Sequence, residues 1–181
     1  MLDKVEYRGW KNNLRISNGD AELIVTLDVG PRVICYRLPG GFNVMKNYDD
    51  QMGKTGEEEW QIRGGLRFWL APEDLTRTYF PDNNAVKYEQ LGPNKARFFP
   101  LPESEYGVQK EMIIGLADKG TTVNVTLRVT NVGPLVTELA PWAPTVMAPA
   151  ALRSSHNHRT AIIRVIPATP SRQRTMPRRR N

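Results

Sequence analysis

Cysteine is nearly absent from this chain. Among 181 residues there is one, Cys35, so no intrachain disulfide framework can form. It sits in the strand-like run Arg32-Val-Ile-Cys-Tyr-Arg37, where a buried structural thiol is expected rather than a nucleophile. Histidine occurs only at His156 and His158. Two ligands one residue apart can share a metal on a strand, but no nearby Cys, Asp or Glu completes the set. No metal and no cofactor are therefore expected. No apolar run approaches the roughly 18 residues that a membrane-spanning helix needs. The first residues, Met1-Leu-Asp-Lys-Val-Glu6, lack the basic and apolar regions of a signal peptide. A reducing cytoplasm is the expected compartment. Walker, dinucleotide-fingerprint, CxxC and serine-hydrolase-elbow motifs are all missing.

Acidic residues are missing from one end only. Eight of the 25 Lys and Arg residues, and none of the 19 acids, fall in 151–181. The first 150 residues hold 17 basic and 19 acidic residues, a net charge of −2. The overall charge of +6 and pI near 9.6 therefore belong to the end of the chain. They do not mark the body as a nucleic-acid binder. Aromatics also vanish after Ala150, where Arg, Ser, Thr and Pro take over. Two readings stay open for this segment: a disordered basic tail, or a stretch foreign to the fold, from a shifted reading frame or a truncated gene. Arg178-Arg-Arg180 could hold RNA or acidic surfaces non-specifically, but no aromatic is interleaved with it.

No long segment shows a helical period. Instead, Leu14–Ser17, the turn Asn18-Gly19 and Ala21–Asp28 form a hairpin signal. In its second strand Leu23, Val25 and Leu27 alternate with Glu22, Ile24, Thr26 and Asp28. Gly30-Pro31 breaks the run and Arg32–Leu38 begins another strand. Residues 43–62 are polar and Gly-punctuated and read as a long loop or short helical turns. A second hairpin runs from Val108–Leu116 through Asp118-Lys-Gly120 into Thr121–Thr130, where Val123, Val125, Leu127 and Val129 share one face. This spacing predicts an all-β, antiparallel sandwich over residues 1–149, followed by the basic segment 150–181. Crossover helices for a parallel sheet are missing.

The stretch Arg63–Asn83 carries the chemistry. It combines cations and carboxylates with Phe68, Trp69, Tyr79 and Phe80, too charged for a core and too aromatic for a solvated loop. That mixture suits a concave site for a polyhydroxylated ligand, with rings against C–H faces and Arg, Asp and Asn on hydroxyls. Arg67 and Glu73 near Trp69 can clamp sugar hydroxyls. They can equally form an ion pair that holds the loop to the sheet. Trp69 can stack on a sugar or fill a core. Tyr79, Asp82 and Asn83 surround Pro81 as a polar turn, and Arg77 is a loop cation. Lys110 and Glu111 point to opposite faces of a strand, so at most one lines a site. Trp142 is expected in a core or at a sheet edge, and Arg32 either faces a cleft or orders a turn.

Several segments, in order, resemble the galactose mutarotase-like superfamily, the aldose 1-epimerase fold. They are Gly9-Trp-Lys-Asn-Asn-Leu-Arg15, Asn18–Leu23, Gly30-Pro-Arg-Val33 and Arg63–Asn83. Gly107-Val-Gln-Lys-Glu111, Thr130-Asn131 and Ala140–Pro149 follow. The resemblance stops at Pro149 and implies the N-terminal part of a larger β-supersandwich, here truncated. It also implies sugar-anomer isomerisation: a base takes the anomeric proton, an acid protonates the ring oxygen, and the ring opens and recloses. Family enzymes use a Glu near the C-terminus as base, with histidines as acid and orienting groups. This chain departs at both points. Leu66 stands in Gly64-Gly65-Leu66-Arg67 where the resemblance implies His, and no Glu here matches the distal base. The expectation is a sugar-binding, aldose 1-epimerase-like protein, weakly active or inactive as an isomerase. Arg67, Trp69, Glu73, Asp82 and Lys110 are its expected ligand-binding residues, and its expected partner is a small-molecule sugar. The other reading is a truncated, non-enzymatic β-sandwich fragment with a structural or interaction role. Third comes a nucleic-acid binder acting through the basic end.

Overall fold

The computed structural model describes residues 1–149; the basic segment and its two histidines lie outside the described residues. Twelve strands form among the described residues: β1 (Leu2–Tyr7), β2 (Trp10–Ser17), β3 (Glu22–Thr26), β4 (Val33–Arg37), β5 (Gly65–Leu66), β6 (Trp69–Ala71), β7 (Lys87–Gly92), β8 (Lys95–Phe99), β9 (Val108–Leu116), β10 (Val123–Asn131), β11 (Ala140–Trp142) and β12 (Thr145–Val146). All pairings are antiparallel. One sheet has the order β1-β2-β3-β4-β5-β12, a second β10-β9-β8-β7, and β11 pairs with β6. A 3₁₀ turn spans Asp49–Gln51. No described helix is long and apolar enough to cross a membrane.

Period-two patterning builds the core between the two larger sheets. Leu14, Ile16, Leu23, Val25, Val33 and Leu66 come from the six-stranded sheet. Phe98, Met112, Ile114, Val125 and Leu127 come from the four-stranded one. β9 alternates buried and half-buried residues along its whole length, and β10 buries Val123, Val125 and Leu127 on one face, as its sequence predicts. β3 departs from expectation. Ile24 and Thr26 are buried as well, although their alternation with Leu23 and Val25 places them on the outer face. The reason is a second, smaller core on that face, formed by Trp10, Ile24, Val29, Ile34 and Cys35 with Met52 packed against it. Residues 43–52 are thus a cover rather than a free loop. Asn43 and Asn47 pin it by donating their side-chain amides to Ile34 O at 3.0 and 2.9 Å. Cys35 is buried and unpaired, and burial raises its thiol above the ordinary range.

The two hairpins meet through the side chains of Asn18 and Asp20, the latter accepting from Gly120 N–H at 2.6 Å. Asn18 Nδ2 donates to Ala117 O and Gly120 O at 2.7 and 2.8 Å, while Asn18 Oδ1 accepts from the backbone N–H of Asp20 and Ala21. Asn18→Ala removes all four bonds and leaves half-buried backbone groups unpaired. The expected loss is about 1–3 kcal/mol, read as a lower urea midpoint with an unchanged m-value.

Candidate functional site

The site starts from a left-handed turn. Arg63, Gly64 and Gly65 have φ of 51°, 98° and 68°. The two glycines lie directly against the carbonyls of Lys46 and Val33. This turn inserts β5 between β4 and β12, and alternation then sorts the side chains that follow. Leu66 and Phe68 enter the core between the sheets. Arg67 points away from it. At position 66 the fold therefore asks for an apolar side chain, packed with Leu23, Val33 and Met45. An imidazole there would be buried in the sheet interior rather than exposed in a groove.

Arg67 is 3% exposed. Its guanidinium carbon lies 4.3 Å from the Trp69 ring centroid and 5.4 Å from that of Trp60. It donates to Gln61 O and Asp82 Oδ1, both at 3.3 Å. Burial pushes its pKa down to about 9. Asp82 opposes that shift, and the like charges of Arg32 and Arg63 add to it; Arg67 remains a cation at neutral pH. Asp82 Oδ1 also accepts from Arg32 Nη2 at 2.7 Å. Burial acts to raise the Asp82 pKa. Arg32, Arg67 and Lys110 outweigh it and hold Asp82 below the ordinary carboxylate value.

Arg32, for which a cleft-facing and a turn-ordering role were both open, and Arg63 are 0% exposed. Arg32 donates to Gln61 O and Ile62 O at 2.7 Å. Arg63 donates to Gln51 O, Glu57 and Asn83 Oδ1, and Asn83 Nδ2 holds Glu57 O and Glu59 O. These bonds tie the acidic segment 57–62 down, which seats Trp60 on the aromatic cluster. Trp60 gave no periodic signal in the sequence, because its position depends on these long-range bonds.

Four of the five expected ligand residues form one connected chain. Glu73 Oε1 accepts from Tyr79 Oη at 2.5 Å. Tyr79 packs edge-on to Trp69 at 4.9 Å. Trp69 stacks on Arg67, and Arg67 pairs with Asp82. Trp142, aligned with Trp69 by the β11–β6 pairing, closes the cluster at 5.4 Å. Trp60 and Tyr79, 5.1 Å apart, line an open groove with Glu58, Glu59 and Pro81. Glu73 is exposed beside that groove. Arg77 donates to Pro72 O at 3.0 Å and orders its own loop.

Lys110 stands elsewhere. It points inward from β9 and pairs with Glu103, the two being 7% and 5% exposed. Glu111 points outward to Arg97 and Arg128, so the opposite-face expectation for this pair holds. Lys110, Glu103 and Asp82 line a separate cleft of about 200 Å³ with Pro31, Phe68 and Met112. Burial raises Glu103 above the ordinary carboxylate range; Lys110 opposes this in part and Asp82 adds to it. Glu103 Oε2 is buried with no hydrogen-bond partner among the described residues, a condition that costs about 1–3 kcal/mol or more. No group of three or more metal-ligating side chains occurs among the described residues.

The groove thus offers aromatic faces with carboxylates at the rim, and the cleft offers an apolar wall beside the buried Glu103–Lys110 pair. Neither matches a known site by descent: comparison with protein-family models, with curated proteins and with solved structures finds no match.

Proposed function

We propose that this chain is a carbohydrate-binding protein of the aldose 1-epimerase-like kind. It holds a free sugar ring on Trp60 and Tyr79, with Glu58, Glu59 and Glu73 accepting hydrogen bonds from its hydroxyls. The supporting observation is the Trp60–Tyr79 pair itself, opening on a groove and braced from behind by Trp69 and the buried Arg67. Rigid aromatic faces supply area at low entropic cost, and carboxylates are acceptors suited to sugar hydroxyls. Binding exceeds catalysis in this reading. No histidine occurs in residues 1–149. Mutarotation is expected at no more than about 100-fold over background, the low end of what a single positioned proton-transfer group supplies.

Isothermal titration with a panel of free aldoses tests the reading. Millimolar binding is expected from an open groove, about −4 kcal/mol, with a loss of about tenfold or more in Trp60→Ala and in Arg67→Ala. No binding by the native protein, or full binding by both variants, would sink it.

A second reading rests on a different observation. β10 is an edge strand among the described residues, and Val132, Leu135 and Val136 just beyond it are exposed. Unpaired edges recruit other strands, so a non-enzymatic interaction role predicts concentration-dependent association by size-exclusion chromatography, reduced by Val136→Lys.

A further inference from the structure

We propose that the Trp60–Tyr79 groove selects a sugar that carries an ammonium group, so that its preferred ligand is an amino sugar rather than a neutral or acidic one. This inference rests on the carbohydrate reading of the groove and adds the charge of the ligand to it.

The first argument is the charge that faces solvent. Glu58 and Glu59 line the groove. Glu73 is held beside it by the hydroxyl of Tyr79, and Asp74 follows in the chain. All four carboxylates are exposed, and none forms an ion pair among the described residues. The neighbouring cations are engaged elsewhere. Arg32 and Arg67 share Asp82, and Arg63 is paired with Glu57. Arg32 and Arg63 are 0% exposed and Arg67 is 3% exposed. This buried set carries one positive charge in excess, but it presents almost no surface to a ligand. At the rim, Arg77 donates to Pro72 O and offsets one of the four exposed carboxylates. A ligand in the groove therefore meets a net negative rim, which repels a uronate or a sugar phosphate and attracts a cation.

The second argument is the rings. Trp60 and Tyr79 line the groove, and a cation within about 6 Å of an indole or phenol centroid is attracted by the negative face of the ring. The same aromatic cluster already holds one cation, with the Arg67 guanidinium 4.3 Å from the Trp69 centroid and 5.4 Å from that of Trp60.

The third argument is donor count. Ionised carboxylates only accept, a hydroxyl brings one donor, and an ammonium brings three with a charge. One ammonium can thus serve two carboxylates and still leave the remaining hydroxyls for the others. Each of these contacts is solvent-exposed and individually weak. A cation–π contact and exposed ion pairs together correspond to a preference of about tenfold over the neutral sugar.

Isothermal titration of the full chain at low salt and about pH 6, where an amino group of ordinary pKa is charged, compares glucosamine, glucose, N-acetylglucosamine, glucuronate and choline. Glucosamine is expected to bind about tenfold tighter than glucose. N-acetylglucosamine, which keeps the nitrogen without the charge, is expected to lose that gain, and glucuronate to bind weakest. Raising the salt to about 0.5 M is expected to shrink the preference to less than about threefold, because exposed pairs are screened. The double variant Glu58→Gln, Glu59→Gln is expected to shrink the ratio in the same way. Equal binding of glucosamine and glucose, a preference for glucuronate, or a ratio untouched by salt would overturn the proposal and leave the carbohydrate reading standing. Choline binding as tightly as glucosamine would also overturn it, since the groove would then read charge without a sugar. Binding of none of the four sugars would remove both readings together.

Discussion

Asp82→Asn is expected to cost the fold about 3–5 kcal/mol, the penalty for stranding a buried charge. Asp82 is the shared anion of two buried cations, with its Oδ1 2.7 Å from Arg32 and 3.3 Å from Arg67. An asparagine fills the same volume and keeps an acceptor oxygen, so packing changes little. What disappears is the negative charge, and Arg32 and Arg67 are then left facing one another and Arg63 across a desolvated site. Arg32 also holds residues 61 and 62, so the groove should loosen along with the fold. Acid supplies an independent check. Asp82 titrates below its ordinary value of 3.8 in the folded chain. Its contribution is therefore complete above that unfolded value and is lost as pH falls through the folded one. Urea denaturation should show wild type and variant far apart at pH 7 and converging as the pH drops below about 3.8. A constant difference across this range would mean that Asp82 stabilises by shape rather than charge.

Gly64→Ala is expected to be as damaging, for a steric reason. A Cβ at Gly64 would lie 1.9 Å from Lys46 O at a φ of +98°. Backbone cannot yield as a side-chain tip can, so either β5 or the 43–48 cover must move. Left-handed strain alone costs about 1–3 kcal/mol, and the clash adds to it, so the expected loss is about 3 kcal/mol or more. Gly19→Ala is the matched control. It has a similar φ of +92°, but nothing lies within 4 Å of the added carbon, so about 1 kcal/mol is expected. Thermal melts of the two variants should differ widely. Similar melting temperatures would show that backbone angle, not the approach to Lys46, sets the need for glycine at position 64.

Much of the fold was legible because strands write their buried face every second residue. β9 and β10 follow that rule from Val108 to Leu127, and the Asp118–Gly120 turn fixes their register. The same rule misplaces Ile24 and Thr26. Alternation reports which residues share a face, but not whether a distant segment covers the other one. The site was legible in composition and not in geometry. Arg67, Trp69, Glu73 and Asp82 fall within one short stretch, so local chain folding could gather them. Lys110 and Asp82 line one cleft only because the connection between β6 and β7 packs beside β9. Trp60 and Glu103 carried no local signal, and for Arg32 and Arg63 the sequence left burial undecided, because it depends on distant partners such as Asp82, Gln51 and Asn83.

The amino-acid sequence alone determined an all-β, antiparallel chain with one buried thiol, an acidic body and a charged aromatic stretch after Gly64-Gly65. Those properties are local: strand periodicity, turn residues and the freedom of glycine act over a few positions. Tertiary structure decided which cations are buried, that Leu66 belongs to the core, and that the expected ligand residues divide between a groove and a separate cleft. Burial and ion pairing depend on what other segments bring, and no local pattern encodes that.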